Sequence, residues 1–268
     1  MISRPWPKSS PPPMPPPPMV ARRSTLSCRL GGSAATKAAT CMAAVGKPVV
    51  QVDIWSDLSC PWCWVGKKRF DKALQQLEGR ADIQVVYHPF IIDHGTAPGG
   101  EEYLAYNVRR WGGDGWCHDL RRSGRPDGAT FSDWKWWPAS AKGHQLLLLA
   151  QEQGLGRQCK ELLLHKTYEE GANLSEVDTL LQCARELGGL GMEEAELRRY
   201  LEEDRGRQAV LAEDAAAKRE LKIGGVPYYI VGSGDGEGKR YALSGAQPVA
   251  SFVKVVERVL AERPQGSQ

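Results

Sequence analysis

The stretch "SDLSCPWCWVGKK", residues 56–68, holds two cysteines separated by a proline and a tryptophan. Cys60 and Cys63 can be read as a redox couple, as half of a metal site, or as two inert buried thiols. The flanking sequence narrows the choice. "VVQVDIWS", 49–56, is a β-branched apolar run and reads as a buried strand. From residue 60 to 78 the spacing turns helical, with Cys63, Lys67 (by its stem), Phe70, Leu74 and Leu77 on one stripe. Cys60 then falls at the N-cap and Pro61 at the first helical position, where a missing N–H costs nothing. Unpaired N–H groups and the positive end of the helix dipole favour a thiolate at such a position, and the thiolate is the reactive form. On this reading Cys60 is exposed and nucleophilic, and Cys63, one turn in, is shielded and resolves a mixed disulfide. A structural zinc site would need further ligands, often a second close pair. Cys117, Cys159 and Cys183 are scattered singles, so no metal is expected.

Residues 82–90, "DIQVVYHPF", form a second strand ended by Pro89, and strand, helix and strand together have the length of a βαβ crossover. From about 100 to 205 the pattern is helical, in segments that end in glycine. A Gly/Trp-rich stretch between 111 and 137 reads as loop and short helix. Residues 206–222 form another amphipathic helix. "GVPYYIV" (225–231) and "KRYALSG" (239–245) read as two strands joined by a glycine-rich turn, and a last helix starts near Pro248. That turn lies between strands and precedes no helix, so it is no phosphate loop.

The first 47 residues are of another kind. They carry seven Lys/Arg, no Asp or Glu, and much Pro, Ser, Thr and Ala. They lack the apolar centre of a secretory signal, and their composition predicts an organelle transit peptide; a proline-rich disordered tail is the alternative. The Ser/Thr/Pro content points to the chloroplast before the mitochondrion, and a start at Met42 would give a cytosolic form. Past this leader the chain has 28 basic against 32 acidic residues, which argues against a nucleic-acid partner. No run approaches the roughly 18 apolar residues of a membrane span. The oligomeric state is not readable.

Taken together, "SDLSCPWCWVGKKRFDKAL", "ASAKGHQLLLLAQEQG", "GGVPYYIV" and "SGAQP" resemble the DsbA-like branch of the thioredoxin superfamily, and within it the FrnE-type dithiol oxidoreductases. The resemblance spans about residues 49–262. It implies an α/β fold, a thioredoxin domain interrupted by an all-helical insertion. The segments would be a leader at 1–47, a first half at 48–92, the insertion at 93–205, a second half at 206–263 and a disordered tail at 264–268. It makes Cys60 the attacking thiol, Cys63 the resolving thiol and Pro227 a cis-proline facing them. The backbone at Val226 would pair with an extended substrate, as in strand addition. Trp62 and His144 join Val226 as candidate substrate contacts. The implied substrates are protein or peptide thiols and disulfides, with no bound cofactor and with glutathione as a redox partner.

Two departures matter. The group often has asparagine five residues before the histidine that is His144 here, and this chain has Ala139. Trp62 stands where strongly oxidising relatives carry histidine, so a poise between thioredoxin and the oxidising extreme is expected. Two rival readings remain. Kappa-class glutathione transferases and 2-hydroxychromene-2-carboxylate isomerases share the fold, but commonly have serine at the Cys60 position and no paired cysteine. A non-catalytic binder would instead use the tryptophans at 111, 116, 134, 136 and 137 as an apolar groove; the plainer reading of those rings is packing under loops.

Overall fold

The computed structural model describes residues 47–262; the tail at 264–268 and, apart from Lys47, the leader lie outside the described residues. The chain opens with strand β1 (Val49–Ser56), helix α1 (Pro61–Gln76) and strand β2 (Asp82–Pro89). β1 is the most buried strand, with Val50 and Val52 fully enclosed and Ile54 nearly so. The reason is topological. β1 pairs with β2 in parallel on one side and with strand β5 (Tyr228–Ser233) antiparallel on the other. Strand β6 (Tyr241–Ser244) closes the far edge, giving the order β2-β1-β5-β6. Helix α1 returns over the sheet by the crossover that a parallel pair requires.

Between β2 and the sheet's second half run helices α2 (Tyr103–Trp111), α3 (Cys117–Gly124), α4 (Ala141–Glu152), α5 (Gly156–Glu169), α6 (Val177–Glu186) and α7 (Glu194–Glu202). A two-residue ribbon, β3 (Glu101–Glu102) with β4 (Trp136–Trp137), lies within this block. Helix α8 (Arg207–Arg219) precedes β5, and α9 (Val249–Ala261) ends the fold. This is the expected thioredoxin-type sheet with a helical insertion. None of the described helices is long and apolar enough to cross a membrane.

Three aromatic rings tie the two halves of the sheet domain together. Phe70 on α1 lies 5.8 Å from Tyr229 on β5 and 5.4 Å from Phe252 on α9, and Tyr229 and Phe252 are 4.8 Å apart. All three are buried, and rings at these distances add to the area they bury. The insertion has its own aromatic core. Tyr106 stacks on Trp137 at 3.9 Å, and Trp134 sits 5.2 Å from Tyr168. Trp134 and Trp137 are buried, Trp116 and Trp136 are half-buried, and Trp111 alone of the five is exposed. The packing reading of these rings therefore prevails over the groove. Cys117, expected in a loop, is buried at the start of α3.

One polar ladder crosses the sheet. Asp53 on β1 faces His88 on β2 at 3.2 Å and accepts from Arg240 at 2.8 Å, while Glu213 on α8 meets the other nitrogen of His88 at 2.9 Å. Burial opposes protonation of His88, but the hydrogen bonds to Asp53 and Glu213 outweigh it and raise its pKa to about 9. The unfolded value is about 6.5. A histidine raised on folding stabilises fully below its unfolded pKa and loses that contribution as pH climbs through the folded one. Urea midpoints should therefore fall between pH 6.5 and 9 more steeply for the wild type than for His88→Gln.

A second prediction concerns Gly66. Its backbone lies so close to β5 that an added Cβ would come within 2.6 Å of the Tyr229 hydroxyl and 2.8 Å of Pro227 Cγ. Elsewhere in a helix, alanine is favoured over glycine. Here Gly66→Ala should destabilise by about 1–3 kcal/mol, read from denaturant unfolding, because neither a buried tyrosine nor a proline ring can move aside freely.

Candidate active site around Cys60 and Cys63

The register of the sheet builds the site. Trp55, next to the end of β1, pairs with Tyr228, the first residue of β5. The segment leaving β1, residues 57–60, is thereby set beside the segment entering β5. Helix α1 starts as expected, with Cys60 as N-cap in extended conformation and proline in the first turn. The Cys63 N–H donates to the Cys60 carbonyl at 2.9 Å, closing the first turn and bringing the second sulfur under the first. The Val226–Pro227 bond is cis. The Cys60 thiol donates to the Val226 carbonyl at 3.7 Å, across 166 residues of chain.

Both cysteines are free thiols. The expectation that Cys60 is exposed needs correction: it is 7% exposed and Cys63 2%. The segment at Val226, whose carbonyl accepts from the Cys60 thiol, is one contact that no local pattern around residue 60 reveals. The order of the two is kept, with the second thiol the deeper. Burial, reinforced by the adjacent Cys60 sulfur, pushes the Cys63 thiol well above the usual range. Trp62, between them, is half-buried and packs against the core. Val226 is half-buried, and its N–H has no hydrogen-bond partner among the described residues.

The segment at 57–60 is held from beneath. Asp57 is fully buried and accepts the Ser59 N–H at 3.1 Å, the Ser59 hydroxyl at 2.9 Å and the Ile92 N–H at 2.8 Å. Tyr168 on α5 donates to the Leu58 carbonyl at 3.3 Å. Helix α4 comes close because Gly143 has no side chain; a Cβ there would meet Leu58 Cδ1 at 2.7 Å. That approach brings His144 Nε2 to 3.4 Å from Asp57 Oδ1. Burial alone would raise the Asp57 carboxyl, but the His144 ring and the Ile92 N–H hold it at about 2. Burial pushes the His144 ring below the ordinary histidine range, against the pull of the Asp57 carboxylate.

His144 was expected among the substrate contacts. It is 0% exposed and offers no surface on which a substrate could rest. Its place is in the support beneath the dithiol. Asp57 and Lys160 escape the sequence reading although both lie in this support. Lys160 on α5 is 1% exposed, and its Nζ has no hydrogen-bond partner among the described residues. The only sequence signal for it is spacing: Lys160 stands four and eight residues before Leu164 and Tyr168, on the buried stripe of α5.

Glu169, at the end of α5, fastens the insertion to α1. It accepts from the Trp64 indole at 2.7 Å and from the N–H groups of Thr130, Phe131 and Ser132 at 2.9, 3.1 and 3.0 Å. Burial opposes its charge, yet these donors and the Thr130 hydroxyl hold its pKa at about 2. Trp64 directly follows Cys63, so the clamp steadies the turn that carries the second thiol.

Comparison with known proteins places this arrangement. The Bacillus subtilis protein YwbO is 25% identical over 195 residues, covering 68% of this chain and 87% of its own. A Streptomyces coelicolor structure named "probable DsbA oxidoreductase" superposes with a TM-score of 0.68 at 26% identity, covering 82% of this chain and 93% of its own. A 2-hydroxychromene-2-carboxylate isomerase superposes with a TM-score of 0.57 at 16% identity, over 79% of this chain and 97% of its own; that likeness is one of fold alone. Residues 51–257, nearly the whole described chain, match the DSBA-like thioredoxin domain, and the protein belongs to that family.

Proposed function

We propose that the protein is a thiol–disulfide oxidoreductase of the FrnE type that works through Cys60 and Cys63. The observation that carries this reading is the placement of Cys60 at the start of α1, its sulfur against the Val226 carbonyl and a second thiol one turn below. In the reducing direction the Cys60 thiolate attacks a substrate disulfide, forming a Cys60 mixed disulfide and releasing one substrate thiol. Cys63 then attacks the Cys60 sulfur, the intramolecular disulfide forms, and the second substrate thiol leaves. Two electrons pass from the dithiol to the substrate, and the reverse sequence oxidises a dithiol substrate. No bound cofactor enters either direction, and glutathione is a suitable partner to reset the pair.

The substrate class follows from the segment around Val226. The Val226 carbonyl lies against the reactive sulfur and its N–H has no partner among the described residues, so an extended peptide can add a short antiparallel pairing there. Protein and peptide disulfides meet that requirement, with Trp62 as an apolar contact beside them. The isomerase and transferase reading has a fold neighbour in its favour, but those enzymes use one activated residue and have no need of Cys63.

Substitution of the cysteines separates the readings. Cys60→Ser should reduce insulin-disulfide turnover to the uncatalysed rate. Cys63→Ser should accumulate mixed disulfides at Cys60, seen as covalent adducts by mass spectrometry under non-reducing conditions. Full turnover by Cys60→Ser would overturn the proposal. Intact turnover of a glutathione-dependent reaction by Cys63→Ser, without trapped adducts, would favour the transferase or isomerase class.

A further inference from the structure

Resolution of the mixed disulfide requires Cys63 to lose its proton in a place that water does not reach. Cys63 is 2% exposed, and burial holds its thiol well above the usual range. A thiol in that state is a poor nucleophile, since the thiolate is the attacking species. Some group inside the protein has to take the proton. We propose that Lys160, in its neutral amine form, is the internal proton acceptor for Cys63 during resolution, and that its ammonium returns the proton when the reaction runs in the other direction. This inference rests on the dithiol reading above and deepens it.

The geometry is that of a buried amine with nothing else to do. Lys160 Nζ is enclosed and has no hydrogen-bond partner, a costly arrangement for an ammonium. It stands on the stripe of α5 that faces the dithiol segment: Tyr168, two turns on, donates to Leu58, two residues before Cys60. Its chain neighbour Glu161 pairs with Lys67, one turn beyond Cys63 on α1, so this part of α5 lies along the helix that carries the thiol. The thiols of Cys63, Cys159 and Cys60 and the carboxyl of Asp57 lie close enough to bear on the Nζ charge. His144 on α4 feels the same ammonium. The Tyr87 ring on β2 lies 5.9 Å away.

Burial lowers the Lys160 pKa to about 8, against the opposing pull of Cys63 and Asp57. At pH 7 about a tenth of the population therefore carries the neutral amine. Nζ lies outside hydrogen-bond reach of Cys63 in the resting dithiol, so transfer goes through rotation of its four-carbon stem. The step balances. The proton passes from Cys63 Sγ to Lys160 Nζ, the Cys63 thiolate attacks Cys60 Sγ, and the Cys60–Cys63 bond forms as the Cys60–substrate bond breaks. The substrate leaves as a thiolate, and the ammonium later gives its proton to solvent.

The test uses reduced full-length protein and the chromogenic disulfide dithiobis-nitrobenzoate, which releases one aromatic thiolate on attack by Cys60 and a second on resolution by Cys63. In stopped flow the wild type should show two phases, the second levelling above about pH 8. Lys160→Met keeps the stem and removes the base. Its first phase should stay within about threefold of wild type, and its second should fall at least tenfold at pH 7 and then rise tenfold per pH unit. A second phase in Lys160→Met that matches wild type in rate and pH profile would overturn the proposal. Should that variant not fold, a wild-type second phase that keeps rising tenfold per pH unit past 8 would overturn it equally. Absence of any second phase in the wild type would instead refute the dithiol reading on which the inference rests.

Discussion

The pairing of β1 with β5 is the constraint on which the site depends. It is antiparallel and sets Trp55 opposite Tyr228, so the chain leaving one strand meets the chain entering the other. A slip of one residue would turn every side chain of β1 to the other face. It would also part the Cys60 sulfur from the Val226 carbonyl, now 3.7 Å away. The register is fixed by burial, because Val50, Val52 and Ile54 on β1 and Tyr229 and Val231 on β5 have no exposed alternative. The missing side chain of Gly66 then lets α1 settle against Pro227 and Tyr229.

Around that junction the protein concentrates polar groups where apolar ones would pack at lower cost. Asp57, His144 and Lys160 are all enclosed, and among the described residues Lys160 Nζ has no hydrogen-bond partner. Unsatisfied buried groups of this kind destabilise by some 1–3 kcal/mol each. They lie together beneath two thiols, where their protonation states are set by burial and by one another. The Asp57 carboxyl is held at about 2, burial draws the His144 ring below its ordinary range, and Lys160 is lowered to about 8. Such clustering of perturbed groups is characteristic of functional sites. The helical insertion is thus more than a lid, since α4 and α5 supply two of the three residues.

Much of the fold was legible in the sequence because its signals are local. The switch from a β-branched run to helical spacing at Cys60, with proline in the first turn, placed β1 and α1. The paired runs after Pro227 placed β5 and β6. What was not legible depends on distant contacts. Asp57 and Lys160 are single charged residues whose partners are far along the chain; Ile92 lies 35 residues from Asp57, and Cys63 lies 97 from Lys160. The carbonyl against the Cys60 thiol comes from a residue 166 positions away. The Gly/Trp-rich stretch had no periodicity and read only as loop and short helix; the ribbon at Trp136–Trp137, with Trp137 stacked on Tyr106, depends on tertiary packing. His144 had helical spacing to mark it as inward, yet its partner Asp57 could be found only by bringing α4 to the end of β1.

The central claim is that the sulfurs of Cys60 and Cys63 form one redox couple. A titration of the protein across glutathione buffers, with each point quenched and its cysteines mapped by peptide mass spectrometry, tests it most directly. A single two-electron transition is predicted, in which the peptides bearing Cys60 and Cys63 become joined while Cys117, Cys159 and Cys183 stay reduced. Persistence of Cys60 and Cys63 as separate thiols, or as independent glutathione adducts, across the whole range would contradict the account.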